Sequence, residues 1–217
     1  PFRIGGQEVF TTVSIGVALG DKSTEDAQTL LRNADMAMYQ AKGNGKARHE
    51  VFDHVMHARA LEQLALETDL RKGLQREEFR LHFQPLVRLS DRKLRSFEAL
   101  VRWQHPERGL LPPGQFLQTA EDTGLIVPLG SWVLRNACTV LARWRAAGHN
   151  ELSISVNLAG RQLEQPDLVQ EVAEVLQQTG VPPSSLVLEV TENVVMKHGD
   201  VATATLEELK RLGVRLH

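Results

Sequence analysis

The stretch LSISVNL, Leu152 to Leu158, places Ser153, Ser155 and Asn157 at alternate positions, with Ile154, Val156 and Leu158 between and after them. Side chains of a strand alternate between its two faces, so this segment reads as a strand with one polar and one apolar side. The same split recurs upstream. Arg80, His82 and Gln84 alternate with Leu81, Phe83 and Pro85, and Ser96, Glu98 and Arg102 oppose Phe97, Ala99, Val101 and Trp103. Further strands are expected at Leu186–Val190 and from Gly213. Helices are expected within Pro113–Asp122 and over Val127–Ala147, Pro166–Thr179 and Val201–Leu212. Strands separated by such helices pair in parallel through right-handed crossovers, as in an open doubly wound sheet or a TIM barrel. A doubly wound sheet lies under helices on both faces and would be apolar on both. The inward face of a barrel can be polar near the mouth, where a site sits. The pattern therefore favours an α/β fold, an incomplete TIM-type (β/α)8 barrel with about five of its eight strands.

Upstream of this region, VFTTVSIGVAL (Val9–Leu19) is rich in β-branched residues and reads as one strand. A helix capped by Asp26 or Thr24 follows. Its Leu30, Leu31, Ala34, Met38 and Ala41 recur at helical spacing up to the stop at Gly43-Asn44-Gly45, before a short strand at Glu50–Asp53. From His54 to Glu78 the sequence is charged and helix-favouring, with Leu66, Leu70 and Leu74 on one stripe. This is expected to be a connecting helix that docks on its own domain or pairs with a copy of itself. The domains are thus expected at 1–53, 54–77 and 78–217. The start at Pro1 and the strand-like end Gly213–His217 give the expectation of a piece of something longer.

Composition excludes several classes. With 25 Lys and Arg against 27 Asp and Glu, the net charge of -2 provides no basic field for a nucleic-acid polymer, although a small nucleotide needs only a few well-placed groups. The single cysteine, Cys138, rules out a disulfide framework or thiolate cluster and fits a packing role inside an apolar helix. No apolar run approaches the roughly 20 residues that span a bilayer, and no signal peptide is visible. A cytoplasmic segment without membrane contact is expected.

Glu98, Asn157 and Glu189 each fall on, or at the end of, a different predicted strand, and in parallel α/β architectures those ends converge at the ligand site. Carboxylate and amide oxygens are hard donors suited to Mg²⁺ or Mn²⁺, which points to phosphate chemistry. Arg102, four residues after Glu98, shares its strand face and carries a guanidinium that matches phosphate oxygens in pairs. On spacing alone, the same residues serve equally as strand-end charges in structural ion pairs. His54 and His57 lack a third ligand, His105 is expected to shape the turn after its strand, and Trp132 and Trp144 are expected to pack rather than stack on a base.

The motifs narrow these alternatives. HFQPLV (His82–Val87), FEALVRW (Phe97–Trp103), PPGQFLQTAEDTGLI (Pro112–Ile126), SVNLAG (Ser155–Gly160) and LEVTEN (Leu188–Asn193) together resemble EAL-domain cyclic-di-GMP phosphodiesterases, in family order over about residues 78–217. The resemblance implies that Glu98, Asn157 and Glu189 are metal ligands, that Arg102 contacts a substrate phosphate and that Gln84 and Leu100 line the nucleotide pocket. Glu192 matches a family glutamate that holds the loop after the fifth strand, and is counted with Glu98 as catalytic; its plainer reading is a carboxylate at the start of a helix.

The upstream residues SIGVAL (Ser14–Leu19), LLRNADMAMYQAKGNGKAR (Leu30–Arg48) and VFD (Val51–Asp53) resemble the end of an α+β, nucleotide-cyclase-like GGDEF domain. There Lys42 and Lys46 would be remnants of a phosphate contact, and no cyclase activity is expected of this segment. The family's paired-aspartate motif would begin after His217, so the complete parent is expected to hydrolyse cyclic-di-GMP to pGpG and the isolated chain to be inactive. A homodimer through the EAL-type domain or the connecting helix is also expected. The alternative is a degenerate EAL domain acting as a non-catalytic cyclic-di-GMP receptor or a dimerisation scaffold.

Overall fold

A computed structural model describes residues 2–5, 7–20 and 26–217, leaving aside the side chains at 4, 7, 9, 54, 57, 59, 60, 192–198 and 200. Thr24 and the side chains of His54, His57 and Glu192 thus lie outside the described residues. The chain divides into two compact units, Pro1–Ala65 and Leu66–His217.

In the first unit, β1 (Phe2–Ile4) pairs antiparallel with β2 (Gln7–Val9), and β3 (Ile15–Val17) pairs parallel with β4 (His49–Val51). The single strand expected over Val9–Leu19 is therefore two short ones, with residues 10–14 outside both. Between β3 and β4 runs α1 (Ala27–Gly43). Its cap is Asp26, whose Oδ1 accepts the Thr29 N–H at 2.6 Å and is held below the ordinary carboxylate range by that bond. The helix crosses β3 so closely that a Cβ at Gly16 would overlap the backbone of Ala34 and Met38, so only glycine fits there. Helix α2 (His54–Gln75) follows, and the division between the units falls within it.

The second unit is built on a six-stranded sheet. Its members are β5 (Phe79–Val87), β6 (Leu94–His105), β7 (Gly109–Leu111), β8 (Ser153–Asn157), β9 (Leu186–Glu189) and β10 (Arg215–Leu216), ordered β10-β9-β8-β6-β5 with β7 beside β6. From β6 through β10 the main path is parallel, with α3 (Leu117–Thr123), α4 (Ile126–Ala146), α5 (Gly160–Leu163), α6 (Leu168–Thr179) and α7 (Glu192–Leu212) in the connections. These strands form an open arc of a TIM-type barrel.

Besides the short β7, which returns antiparallel on β6, one pairing departs from the parallel expectation: β5 and β6 are antiparallel. The cause is length, because residues 88–93 cannot supply the crossover of a dozen or more residues that a parallel return requires. α7 also begins earlier than its apolar period, since Gly199 breaks the helix with φ 53° and ψ -132° and the predicted helix is the part beyond that kink.

Two apolar clusters hold the unit. The larger seals β8 and β9 against α4, α6 and α7, with Ile154, Val156, Leu186 and Leu188 meeting Ala137, Cys138, Leu141, Val172 and Leu209. Phe83 and Phe97 pack on Trp144, with ring centroids 5.1 and 4.7 Å away. The smaller gathers Leu70, Phe79, Trp103, Phe116 and Leu129, with Leu66 and Leu74 alongside, so the leucine stripe of α2 is buried within its own unit. Trp103 stacks on Phe79 at 5.6 Å and donates its indole N–H to Glu78 Oε2 at 3.0 Å. At the end of β6, the buried His105 accepts the Glu107 and Arg108 N–H groups on Nδ1 at 3.1 and 3.2 Å, fixing the turn. Its proton is thereby placed on Nε2, 3.4 Å from Asp69 Oδ2.

Candidate active site

The polar face of the arc is set by what the other face does. Because Phe83 and Phe97 pack on Trp144 and Ile154, Val156, Leu186 and Leu188 pack under the helices, the intervening residues of each strand turn to the opposite side. Strand pairing sorts that side into rows. In the first, Gln84 opposes Glu98, Glu98 opposes Ser155 and Ser155 opposes Val187. Two residues further on each strand, His82 opposes Leu100 and Asn157 opposes Glu189. Beyond these, Arg80 opposes Arg102. Because β5 runs against β6, its early residues share the end of the sheet reached by the late residues of β6, β8 and β9.

Depth varies within each row. Ser155 is 2% exposed and forms a floor, Glu98, Leu100, Arg102 and Glu189 are half-buried, and Gln84 and Asn157 are exposed. The Asn157 amide donates through Nδ2 to Glu98 Oε1 at 2.8 Å, joining the end of β8 to the middle of β6. Glu189 is the register partner of Asn157, and its carbonyl accepts the Leu158 N–H at 2.9 Å, which fixes the backbone on both sides of the pair. Arg102 anchors Nη1 on the Val101 carbonyl at 2.8 Å. Among the described residues no carboxylate lies within ion-pair distance of Arg102 or Arg80.

The donor chemistry fits a hard divalent cation in kind. Glu98, Asn157 and Glu189 offer oxygen only, and a half-turn of the Asn157 amide replaces its nitrogen by Oδ1 at the same place. Among the described residues no group of three or more His, Cys, Asp or Glu is poised for a metal, because this set consists of two carboxylates and one amide. Three such ligands cover about half of the octahedral shell that Mg²⁺ demands.

The other candidates lie where their elements put them. Glu192 is the first residue of α7, directly after the N-cap Thr191. Lys42 is exposed in the last turn of α1, and Lys46 is exposed with φ 61°, its N–H donating to the Ala41 carbonyl at 3.0 Å. Arg80 lies on the polar face of its strand at even spacing from Gln84, and the short connection that reverses β5 puts it at the same end of the sheet as Arg102.

Comparison with known proteins agrees with this architecture. The EAL domain family matches residues 67–217, and the diguanylate cyclase GGDEF domain family matches residues 1–48. The bifunctional diguanylate cyclase/cyclic di-GMP phosphodiesterase MucR of Pseudomonas aeruginosa is 42% identical over 214 residues, covering 99% of this chain and 31% of MucR. The cyclic di-GMP phosphodiesterase PdeR of Escherichia coli is 40% identical over 217 residues, covering 100% of this chain and 32% of PdeR. The chain thus spans about a third of the length of these curated relatives. Among solved structures, the PaMucR phosphodiesterase in its c-di-GMP complex superimposes with a TM-score of 0.67 at 43% identity, covering 70% of this chain and 62% of that one. The FimX EAL domain of Pseudomonas aeruginosa bound to c-di-GMP gives a TM-score of 0.62 at 28% identity, over 71% and 60% of the two chains. The barrel arc, with its acidic and amide strand ends, and the family match over most of the sequence lead to one assignment: this chain belongs to the EAL domain family, preceded by residues of the GGDEF family.

Proposed function

We propose that the protein is a metal-dependent phosphodiesterase that opens cyclic-di-GMP to the linear dinucleotide pGpG. The observation that carries this reading is the hydrogen bond from Asn157, at the end of β8, to Glu98 on β6, with Glu189 in register beside Asn157 and Arg102 on the same face. Glu98, Asn157 and Glu189 would hold Mg²⁺ or Mn²⁺, and Glu192 would steady the loop that follows β9. A bound divalent cation neutralises phosphate charge and makes water a stronger nucleophile at neutral pH. Arg102 binds a phosphodiester through the N–H groups left free by its backbone anchor, while Gln84 and Leu100 contact the nucleotide. In the reaction, water adds to one phosphorus, the bond to the 3′ oxygen breaks, and that oxygen leaves with a proton.

In this reading residues 1–53 are the end of a GGDEF-type domain, 54–77 a connecting helix and 78–217 the EAL-type part, working in the cytoplasm as a homodimer. Among the described residues no helix is long and apolar enough to cross a membrane. The test is Glu98→Ala in the full-length protein, with pGpG production measured in Mg²⁺ and Mn²⁺. Turnover should fall at least about 100-fold, and chelation of the metal should abolish it in the wild type. A rate untouched by the substitution removes Glu98 from the mechanism.

A further inference from the structure

Arg80 and Arg102 face each other directly across β5 and β6, on the polar side of the arc and beyond the Glu98 row. Like charges directly opposed on neighbouring strands repel one another. Ordinary surface pairs relieve this with a carboxylate, but none lies within ion-pair distance of either guanidinium among the described residues. Each arginine is instead steadied by main-chain oxygens. Arg80 donates Nη1 to the carbonyls of Glu77 and Phe79 at 2.5 and 2.7 Å, and Arg102 donates Nη1 to Val101 at 2.8 Å. The strained turn before β5 contributes, since Glu77 sits at φ 55° and presents its carbonyl to Arg80. Anchoring one nitrogen of a planar fork leaves its other N–H groups free and limits the freedom lost when an anion binds.

We propose that Arg80 is a second substrate-binding residue, forming with Arg102 a two-guanidinium clamp for a phosphodiester at the mouth of the barrel. The proposal rests on the cyclic-di-GMP reading, and it explains why two cations are kept opposed without a carboxylate between them. A cyclic dinucleotide carries two phosphodiesters. With one beside Glu98 and Asn157, the other needs positive charge further along the same face, and Arg80 extends that charge from β6 onto β5.

The experiment measures equilibrium binding of cyclic-di-GMP to the full-length protein carrying Glu98→Gln, which separates binding from turnover, with and without Arg80→Gln. Arg80 is exposed, so its replacement leaves the apolar clusters intact. Affinity should drop about 10- to 100-fold, the salt dependence of binding should become shallower, and Arg80→Lys should recover only part of the loss because an ammonium lacks the fork. A dissociation constant within twofold of the parent, with an unchanged salt dependence, would overturn the clamp. Tight binding by wild-type protein without hydrolysis would instead sink the catalytic reading while leaving the Arg80 comparison valid.

Discussion

Asn157 on β8 and Glu98 on β6 are 59 residues apart in sequence and share a hydrogen bond of 2.8 Å. The bond holds the Glu98 carboxylate and the Asn157 side chain beside each other before any ligand arrives, so that a half-turn of the amide is the ordering left to be done on binding. Asn157→Ala removes one oxygen donor and the partner that orients Glu98. In the full-length protein the Mn²⁺ concentration for half-maximal pGpG production should rise about 10- to 100-fold, with the thermal midpoint little changed because Asn157 is exposed. An unchanged metal requirement would place Asn157 outside the cation site.

Gly73 on α2 lies under the Trp103 indole. A Cβ there would come within 2.9 Å of Nε1 and 3.1 Å of Glu78 Oε2, the two atoms joined by the indole hydrogen bond. Alanine is favoured over glycine in a helix by about 1 kcal/mol, but overpacking a filled core costs about 1–3 kcal/mol and losing the indole bond adds about 1 kcal/mol. Gly73→Ala should therefore be net destabilising by about 1–3 kcal/mol, read as a lower urea midpoint. Equal stability would show that α2 slides aside at no cost.

Cys138 is fully buried in α4, and burial pushes its thiol up from 9.0 to about 12. In the unfolded chain the thiol ionises near its ordinary value while the folded one keeps its proton, so the native state binds more protons over this window and stability falls as pH rises. The decline should run from about pH 9 to 12, at up to about 1.4 kcal/mol per pH unit. Denaturant titrations of wild type and Cys138→Ala across that range check it: their stability difference should change with pH, and parallel curves would mean the thiol is accessible to water. At pH 8 the native thiol should resist alkylation.

Much of this arrangement was written in residue alternation. The polar-apolar split of LSISVNL marked the face that carries Asn157, and the even spacing of Glu98 and Arg102 put both on one side of β6. The expected packing of Cys138, Trp132 and Trp144 and the turn-forming role of His105 match their surroundings in the second unit. Periodicity gave no strand direction, however. The reversal of β5 depends on the length of residues 88–93, a long-range geometric constraint rather than a pattern, and it is what brings Arg80 opposite Arg102. Short elements such as α5 and β7 were equally silent, because four or three residues carry too little period to stand out. The proposed ligand set rests on motif order, since two carboxylates and an amide are chemically ambiguous when read one at a time.

The tight return at 88–93 has a practical side. It lies at the pole of the sheet opposite the barrel mouth, where Leu89 is 91% exposed. Asp91 braces it by accepting the Lys93 N–H and pairing with Arg88 and Arg95. A fluorophore attached at Leu89 would sit on a braced loop at the end of the sheet away from the Asn157–Glu98 pair, giving a reporter of barrel motion remote from the proposed site.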